Sequence, residues 1–434
     1  MIGQIIFCVL LIATGVVFGK RIMSIRRNIL LGRDLDRTDK KAERWKTMAK
    51  VALGQSKMVA RPFAGIMHVL VYLGFVIINI EVAEIVLDGI LGTHRLFAPF
   101  LGGLYDFLIG SFEILALLVL LACVVFFVRR NIGKIKRFSG KEMTSWPKND
   151  ANIILITEIL LMTAFLTMNG ADKALQAIGA DHYIQAGSFP VSGFIASMFS
   201  GMSEASLIMI ERGCWWFHII GILGFLVYIP YSKHLHIFLG FPNTFYSNLE
   251  PKGQFTNMDS VTAEVKAMLD PSAPPPPADA PIERFGAKDA TDLTWKNLMD
   301  AYSCTECGRC TSQCPANQTG KLLSPRKIMM DTRDRLEEIG ANIDKHGKDH
   351  DDGKSLVHDF IAPEELWACT TCNACTDACP INIDPLNIIV DLRRYLVMEE
   401  AKSPADLNNM FSNVENNGAP WPFSPADRLK WADK

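Results

Sequence analysis

The sequence has little net charge, few cysteines for its length and no long apolar run beyond residue 240. Its 44 Lys and Arg residues nearly balance its 46 Asp and Glu residues, which argues against a nucleic-acid-binding surface. Eleven cysteines in 434 residues are too sparse for a small disulfide-stabilised scaffold. A glycine-rich dinucleotide fingerprint and a P-loop are also missing, so no familiar nucleotide site is predicted.

The apolar residues of the chain point to a membrane half at residues 1–240. A helix needs about 20 mainly apolar residues to cross a bilayer. Five stretches meet or approach this length, namely Ile2–Gly19, Phe63–Leu87, Phe107–Val128, Asn152–Met168 and Cys214–Tyr231. A sixth stretch, 191–210, is interrupted by Gly201, Ser203 and Glu204, and we expect a helix that lies on the outer face of the bundle.

The basic residues between these stretches predict the orientation. Residues 20–62 contain 13 Lys and Arg and residues 129–150 contain 7, whereas residues 88–106 contain only Arg95 and residues 170–212 only Lys173 and Arg212. Loops rich in Lys and Arg stay in the cytoplasm. The N-terminus is therefore predicted outside, and everything after the fifth span is predicted to be cytoplasmic.

Eight of the eleven cysteines form two copies of the run C-x2-C-x2-C-x3-C-P, which suits [4Fe–4S] clusters. In two-cluster ferredoxins the last cysteine of each run binds the other cluster. We therefore expect one cluster on Cys304, Cys307, Cys310 and Cys379, and the other on Cys369, Cys372, Cys375 and Cys314. Structural zinc is the alternative, but zinc sites are typically built from C-x2-C pairs.

Residues 290–400 resemble the two-cluster ferredoxin domain of heterodisulfide reductase C subunits and of related respiratory iron–sulfur subunits. The tail from Asn413 to Trp421 resembles the segment that leads, in this family, to a cysteine-rich catalytic domain. No Cys-Cys pair occurs here and no cysteine follows Cys379. We expect the catalytic module to lie on a separate subunit, either a cysteine-rich protein of the heterodisulfide reductase B/D type or a flavoprotein.

The two halves are predicted to be joined by a stiff Pro-rich spacer, residues 271–281, that sets the distance of the clusters from the membrane. The expected organisation is a membrane domain at 1–240, a linker at 241–288, a ferredoxin domain at 289–400 and a partner-docking tail at 401–434.

Histidines in or beside the spans are candidate haem ligands, because haem b takes an imidazole on each face of its iron. His68 near the start of the second span and His234 and His236 after the fifth are all predicted at the cytoplasmic level. His218 precedes His236 by 18 residues, about 27 Å along a helix, and is expected near the outer level. Hence His68 can share a haem with His236 or His234, but not with His218.

The run Ile229-Pro230-Tyr231-Ser232-Lys233-His234-Leu235-His236 resembles the end of the last span of nitrate reductase gamma subunits, which are five-span cytochromes b. The resemblance covers residues 60–240 and selects His236 as the ligand paired with His68. It also implies an outer haem on His218, but the matching position on the second span is Ile78. His94 or His182 could supply the missing ligand. Otherwise a single haem binds.

Three acidic residues lie within the predicted spans, namely Glu81, Glu113 and Glu158. Buried carboxyl groups in membranes often mark proton paths. The simpler interpretation, which we favour for Glu81, is a hydrogen bond between helices or an interfacial position.

The sequence thus predicts a mainly α protein: a five-span bundle followed by a cytoplasmic helical dicluster ferredoxin domain, in a bacterial or archaeal cytoplasmic membrane. The two resemblances together imply a subunit of a respiratory oxidoreductase that passes electrons between a quinone, haem b and two [4Fe–4S] clusters, and that has no substrate site of its own. The alternatives are a self-contained thiol/disulfide oxidoreductase and a non-enzymatic redox-sensing membrane protein.

Overall fold

The structure is a computed structural model that describes residues 1–133, 135–270, 272 and 284–433. In these ranges the regular structure is helical, and only isolated bridges represent β-pairing. The first half contains α1 (Ile2–Ile29), α2 (Lys41–Met48), α3 (Pro62–Leu91), α4 (Ala98–Leu101), α5 (Gly103–Asn131), α6 (Trp146–Ile178), α7 (Ser192–Met198), α8 (Glu204–Tyr228) and α9 (His236–Phe245).

Five of these helices, α1, α3, α5, α6 and α8, are long and apolar enough to cross a membrane. They have 28 to 33 residues when the helical turn after α8 is included, which is about 42 to 50 Å at 1.5 Å per residue. This exceeds the roughly 30 Å of a hydrocarbon core, so each helix continues beyond it. The predicted five-span class is confirmed.

The outer part of the bundle differs from the sequence prediction. The sixth stretch divides at Gly201, where φ is +83°. The residues before this glycine form α7, a separate short helix that packs on α6. The residues from Glu204 onward belong to α8, because Ser203 caps its N-terminus by accepting a hydrogen bond from the Ser206 amide. The fifth span therefore starts ten residues before Cys214.

The second half is a compact group of short helices around the cysteine runs. They are α10 (Asp259–Leu269), α11 (Trp295–Ser303), α12 (Arg309–Gln313), α13 (Pro315–Gln318), α14 (Pro325–His346), α15 (Pro363–Trp367), α16 (Ala374–Ala378), α17 (Pro385–Met398) and α18 (Ala405–Asn417). The sequence predicts the start of α14 from Ser324 and Pro325, and the Ser324 hydroxyl accepts a hydrogen bond from the Lys327 amide there. No side chain of α18 is buried.

The two halves share a hydrophobic core, which corrects the expected role of the Pro-rich spacer. Ile25 and Ile29 at the end of α1 are buried among the apolar residues of the cysteine half, as is Leu235 beside α9. Buried Asn28 donates a hydrogen bond to the Tyr302 hydroxyl at 3.0 Å. Most of the spacer lies outside the described residues, but the distance of the cysteine half from the bundle is set by this direct packing.

The end of α1 approaches α14 closely at Gly340. A Cβ atom at this glycine would stand 2.4 Å from the side chain of Asn28. Arg21 and Arg27 flank this contact and pair with Glu337 and Asp344 of α14. The first span is therefore also a structural element of the cysteine half.

A buried polar network joins the far ends of α3, α5 and α6. The guanidinium of Arg95 donates to the Asp172 carboxylate at 2.7 Å, to the Tyr105 hydroxyl at 3.1 Å and to the Asn169 side-chain oxygen at 3.2 Å. Since lipid offers no hydrogen bonds, such groups must satisfy one another. The sequence identifies Arg95 only as an isolated outer-loop charge.

The three acids within the spans differ in their surroundings. The Glu113 carboxylate accepts hydrogen bonds from the amides of Val191 and Ser192, both at 3.0 Å, and so holds the start of α7. One carboxyl oxygen of Glu81 is buried and has no hydrogen-bond partner among the described residues. The bonds to Glu113 show that it has a structural task in this fold.

We expect Arg95→Met to destabilise the bundle strongly. The substitution leaves Asp172 and Asn169 buried without their cation, and removing one partner of a buried ion pair costs about 3–5 kcal/mol. Thermal unfolding of the detergent-solubilised protein measures the effect as a lowered Tm. Arg26→Met is the matched control, because Arg26 lies on an exposed face of α1. Equal Tm values for the two variants would contradict the importance of this network.

Candidate metal centres

The two cysteine runs fold in the same way. In each run the residues two and four positions after the first cysteine have positive φ, namely Glu306 and Gly308 in the first and Thr371 and Asn373 in the second. A short helix then follows, α12 or α16. Glycine and asparagine tolerate this backbone conformation, whereas glutamate and threonine adopt it at a cost of about 1–3 kcal/mol. Such strain in both loops points to a functional constraint.

The first three cysteines of the first run meet the last cysteine of the second. Cys304, Cys307, Cys310 and Cys379 line one internal cavity between α12 and the turn before α17. Burial raises the pKa of the Cys304 thiol to about 12 and that of Cys379 to about 11. Thiols with a raised pKa become thiolates more readily when a metal centre compensates their charge.

The other four cysteines form a second group. Burial raises the pKa of Cys369, and the neighbouring thiols of Cys314 and Cys372 raise it further. Burial also raises the pKa of Cys375 to about 12, with Cys369 again a neighbour. The backbone amide of Thr371 lies 3.4 Å from the Cys369 sulfur and donates to it. The structure thus places Cys314 with the second run and Cys379 with the first.

The spacing of these side chains differs from that of a zinc site. Within the described ranges, no three His, Cys, Asp or Glu side chains converge closely enough to hold a single metal ion. A zinc ion needs its ligands about 2.0–2.3 Å from one point. A cubane spreads its thiolates over four irons, which agrees with four cysteines around a cavity.

Two histidines at the end of the bundle next to the cysteine half face each other. The ring centres of His68, on the second turn of α3, and His236, at the start of α9, are 6.4 Å apart, with their planes at 44°. Nδ1 of His236 is 3.0 Å from the carbonyl oxygen of Lys233, which accepts its hydrogen bond. This bond leaves Nε2 of His236 available as a metal ligand.

This separation fits two axial ligands of one haem iron. An imidazole nitrogen binds a metal at about 2.0 Å and lies a little over 1 Å from its ring centre, so two such rings stand about 6.3 Å apart. His234 is differently placed, because its ring packs against Phe225 at 5.5 Å and edge-on to His236 at 5.5 Å. In addition, Nδ1 of His68 is buried without a protein partner among the described residues. The residues present therefore fit a haem.

The first cysteine loop is attached to the segments that carry both histidines. Arg309, between Cys307 and Cys310, donates to the backbone carbonyls of Lys57 and Met58 at 2.9 Å each, just before α3. Glu306 pairs with Lys233 at 2.5 Å, three residues before His236. Sequence reasoning identifies neither contact, since neither residue type is a metal ligand.

The structure places His218 near the middle of α8, because this helix starts at Glu204, ten residues before the predicted span. Its Nδ1 is 3.0 Å from the Leu161 carbonyl oxygen, and its ring packs on Phe165.

The structure also keeps the other candidate ligands away from His218. His94 lies beside Asp172 and faces His182 at 5.8 Å between ring centres. Phe165, which contacts His218, precedes Asp172 by seven residues of α6, or about 10 Å. Neither His94 nor His182 is therefore brought to His218.

Comparison with known proteins identifies the cysteine half. Residues 303–383 match the domain family described as a 4Fe-4S dicluster domain. The chain is 32% identical over 410 residues to a probable iron-sulfur-binding oxidoreductase, FadF, of Bacillus subtilis, an alignment that covers 88% of this chain and 54% of the relative. It is 28% identical over 426 residues to the EtfAB:quinone oxidoreductase of Syntrophomonas wolfei, covering 92% and 55%.

A third relative matches the cysteine half alone. It is the C subunit of the ferredoxin/F(420)H(2)-dependent CoB-CoM heterodisulfide reductase of Methanosarcina acetivorans, 32% identical over 107 residues, or 24% of this chain and 52% of the relative. The chain thus spans about half the length of the curated relatives that it matches. No solved structure matches it at a significant level. The expected likeness to iron–sulfur electron-transfer oxidoreductases and heterodisulfide reductase C subunits is confirmed.

Proposed function

We propose that this chain is a membrane electron-transfer subunit that connects a quinone, through one haem b and two [4Fe–4S] clusters, to a soluble redox partner. The observation that carries the proposal is the position of the first cysteine loop. Its Glu306 and Arg309 bind the two chain segments that lead to His236 and His68. Electron transfer needs centres at fixed, short separations, and these contacts fix them. A redox sensor or scaffold has no need of this juxtaposition.

The ligand assignment follows the geometry. His68 and His236 are proposed as the haem ligands, and His234 and His218 are not. Cys304, Cys307, Cys310 and Cys379 are proposed for the cluster nearer the bundle, and Cys314, Cys369, Cys372 and Cys375 for the other. When bound, haem b supplies a one-electron Fe(III)/Fe(II) couple.

The surrounding residues of this chain hold these ligands in place. The Lys233 carbonyl orients the His236 ring, and the Lys233 amide donates to the Asp150 carboxylate of α6 at 3.0 Å. Arg333 pairs with Glu306 from the side of the cysteine half at 2.9 Å. Ligands held by such hydrogen bonds keep their orientation during redox change, which limits reorganisation.

The domain organisation proposed from the sequence needs one adjustment. Residues 241–245 belong to α9 instead of a linker, and buried Asn243 donates to the Ile381 carbonyl at 2.9 Å. Exposed α18 and the exposed aromatic side chains Trp421, Phe423 and Trp431 support a partner-docking role for the tail. The partner is proposed to be a cysteine-rich or flavin-containing redox protein.

The orientation is proposed with the cysteine half in the cytoplasm. The basic end of α1, with Arg21 and Arg27, is attached to α14 of the cysteine half. The loops rich in Lys and Arg and the clusters therefore belong to the same side, which the positive-inside rule makes the cytoplasmic one.

Optical and EPR spectra of the purified membrane protein test the proposal. Reduction by a quinol, or by dithionite, is expected to produce b-type haem bands and the signals of two [4Fe–4S] clusters. Cluster signals without haem bands would refute the quinone–haem route and leave the ferredoxin assignment intact. Zinc in place of iron would refute the cluster assignment.

A further inference from the structure

The region between His68 and the first cysteine loop contains an unbalanced group of positive charges. We call it the arginine cluster, and it consists of Arg61, Arg129, Arg137 and Arg309. Arg61 precedes α3 and donates to the Ser312 hydroxyl at 2.7 Å. Arg309 is only 5% exposed and is a charged neighbour of His68. Three of the four arginines belong to the membrane half.

No carboxylate of the described residues neutralises this cluster. Burial and the neighbouring Arg61, Arg309 and Arg129 together lower the pKa of Arg137 to about 10, while Cys307 acts in the opposite direction. Arg309 donates to the backbone carbonyls of Lys57 and Met58 and forms no ion pair with a carboxylate of the described residues. Nearby Arg326, in contrast, pairs with Glu142 at 2.7 Å. Arg309 is buried and the other three arginines are partly exposed, and positive charges gathered in such a position favour the binding of an anion.

Two of the four guanidinium groups, those of Arg129 and Arg137, are stacked on aromatic rings. Arg129 lies over the ring of Phe63 at 4.6 Å, and Arg137 lies over Phe138 at 4.8 Å. Stacking on an aromatic face fixes the plane of a guanidinium and leaves its N–H edge free. Nε of Arg137 is buried and has no partner among the described residues. Arginine edges of this kind match carboxylates, which they can bind through two parallel hydrogen bonds.

We propose that the arginine cluster binds the two propionate carboxylates of a haem held by His68 and His236. The inference rests on the proposed function, since it needs that haem. Its position supports it, because Phe63 precedes His68 by five residues on α3 and Arg129 ends α5, the helix that packs against α3. The haem would then point its charged edge at the cytoplasmic surface, toward the first cysteine loop.

Two other anions could occupy the cluster. The [4Fe–4S] cluster with its four thiolates is negative, and Cys307 is already a neighbour of Arg137. An anionic lipid headgroup carries a phosphate at the same membrane level. We favour propionates because a carboxylate can accept two parallel hydrogen bonds from each of the stacked guanidinium groups of Arg129 and Arg137, whereas a cluster sulfur usually accepts single N–H groups.

The test compares Arg137→Leu and Arg61→Leu with Lys136→Leu in the full chain in detergent. Lys136 is exposed beside Arg137, so its replacement removes the same charge without touching the cluster. Redox-induced infrared difference spectra with carbon-13-labelled haem propionates report directly on the carboxylates. Potentiometric titration reports the haem and the iron–sulfur centres separately.

In both arginine variants the labelled propionate bands are expected to shift. The equilibrium constant for reduction of the haem should fall about tenfold, because the propionate charge loses its counter-ion. For a one-electron centre this corresponds to a reduction potential lowered by about 59 mV. Lys136→Leu should change neither. Arg137→Lys keeps the positive charge but loses the two parallel N–H groups of the guanidinium. It should therefore restore most of the haem reduction potential but not the wild-type position of the propionate bands.

Three results would overturn the inference. Unchanged propionate bands with a lowered iron–sulfur potential would assign the arginines to the cluster. Unchanged bands with loss of co-purifying anionic lipid in native mass spectra would assign them to a headgroup. A wild-type protein without haem bands would refute the proposed function itself, and the inference with it.

Discussion

Replacing either His68 or His236 by alanine is expected to abolish the haem b absorbance of the purified protein, whereas His234→Ala should retain it. His68 and His236 face each other at 6.4 Å between ring centres, as two axial ligands require. His234 instead packs between Phe225 and the edge of His236. Haem content per chain should fall from about one to near zero in the first two variants, since a bis-histidine site needs both rings.

The measurement is the pyridine haemochrome spectrum per mole of protein, with the iron–sulfur EPR signals as the folding control. His218→Ala is a further control, because His218 is bonded to the Leu161 carbonyl and no second histidine of the described residues faces it. Its haem content should equal that of the wild type. Loss of haem in His234→Ala together with retention in His236→Ala would show that the ligand assignment is wrong.

The second prediction with a large effect is that each cluster takes one of its four cysteine ligands from the other run. Cys379→Ser is expected to remove the same [4Fe–4S] cluster as Cys304→Ser, although the two residues are 75 positions apart in the sequence. Both line the cavity that also contains Cys307 and Cys310. Iron should fall from about eight to about four per chain, and the remaining EPR signal should be that of the other cluster.

Cys314→Ser supplies the reciprocal experiment. It should remove the cluster that Cys372→Ser removes, since Cys314 lies beside Cys369. Cys214→Ala, in the fifth span and outside both runs, is the control and should keep all the iron. If the spectrum of Cys379→Ser matched that of Cys372→Ser instead, each cluster would be held by one continuous run.

The packing of the cysteine half against the bundle restricts how the two halves can move relative to each other. A domain on a stiff spacer would be free to swing between a membrane donor and a soluble acceptor. Here the end of α1 is buried in the cysteine half, and Lys233, Arg309 and Asn28 make direct contacts across the boundary. The first cysteine loop and His236 therefore keep a constant separation. The proposed redox partner would then contact the exposed surface of the cysteine half and the tail.

Much of the architecture follows from the sequence because the signals are local. An apolar run of about 20 residues forms a spanning helix wherever it occurs, since the bilayer leaves its backbone no alternative. The cysteine runs carry their chemistry in their spacing, and Gly308 and Asn373 already permit the loop that each run needs. The order of the spans and the level of each histidine predict that His68 lies near His234 and His236, and the structure places the rings of His68 and His236 6.4 Å apart.

Features that depend on contacts between distant segments of the chain are seen only in the tertiary structure. The placement of His218 depends on where α8 begins, and a Ser203 cap in a polar stretch outweighed the hydropathy pattern. Hydrogen bonds join Glu113 to the start of α7 and Arg95 to Asp172. No periodicity in the sequence predicts these contacts. The arginine cluster combines residues from three segments of the chain, and the absence of a carboxylate partner for it among the described residues is visible only in three dimensions. Sequence spacing fixes ligands that share a loop, whereas charge balance is a property of the folded chain.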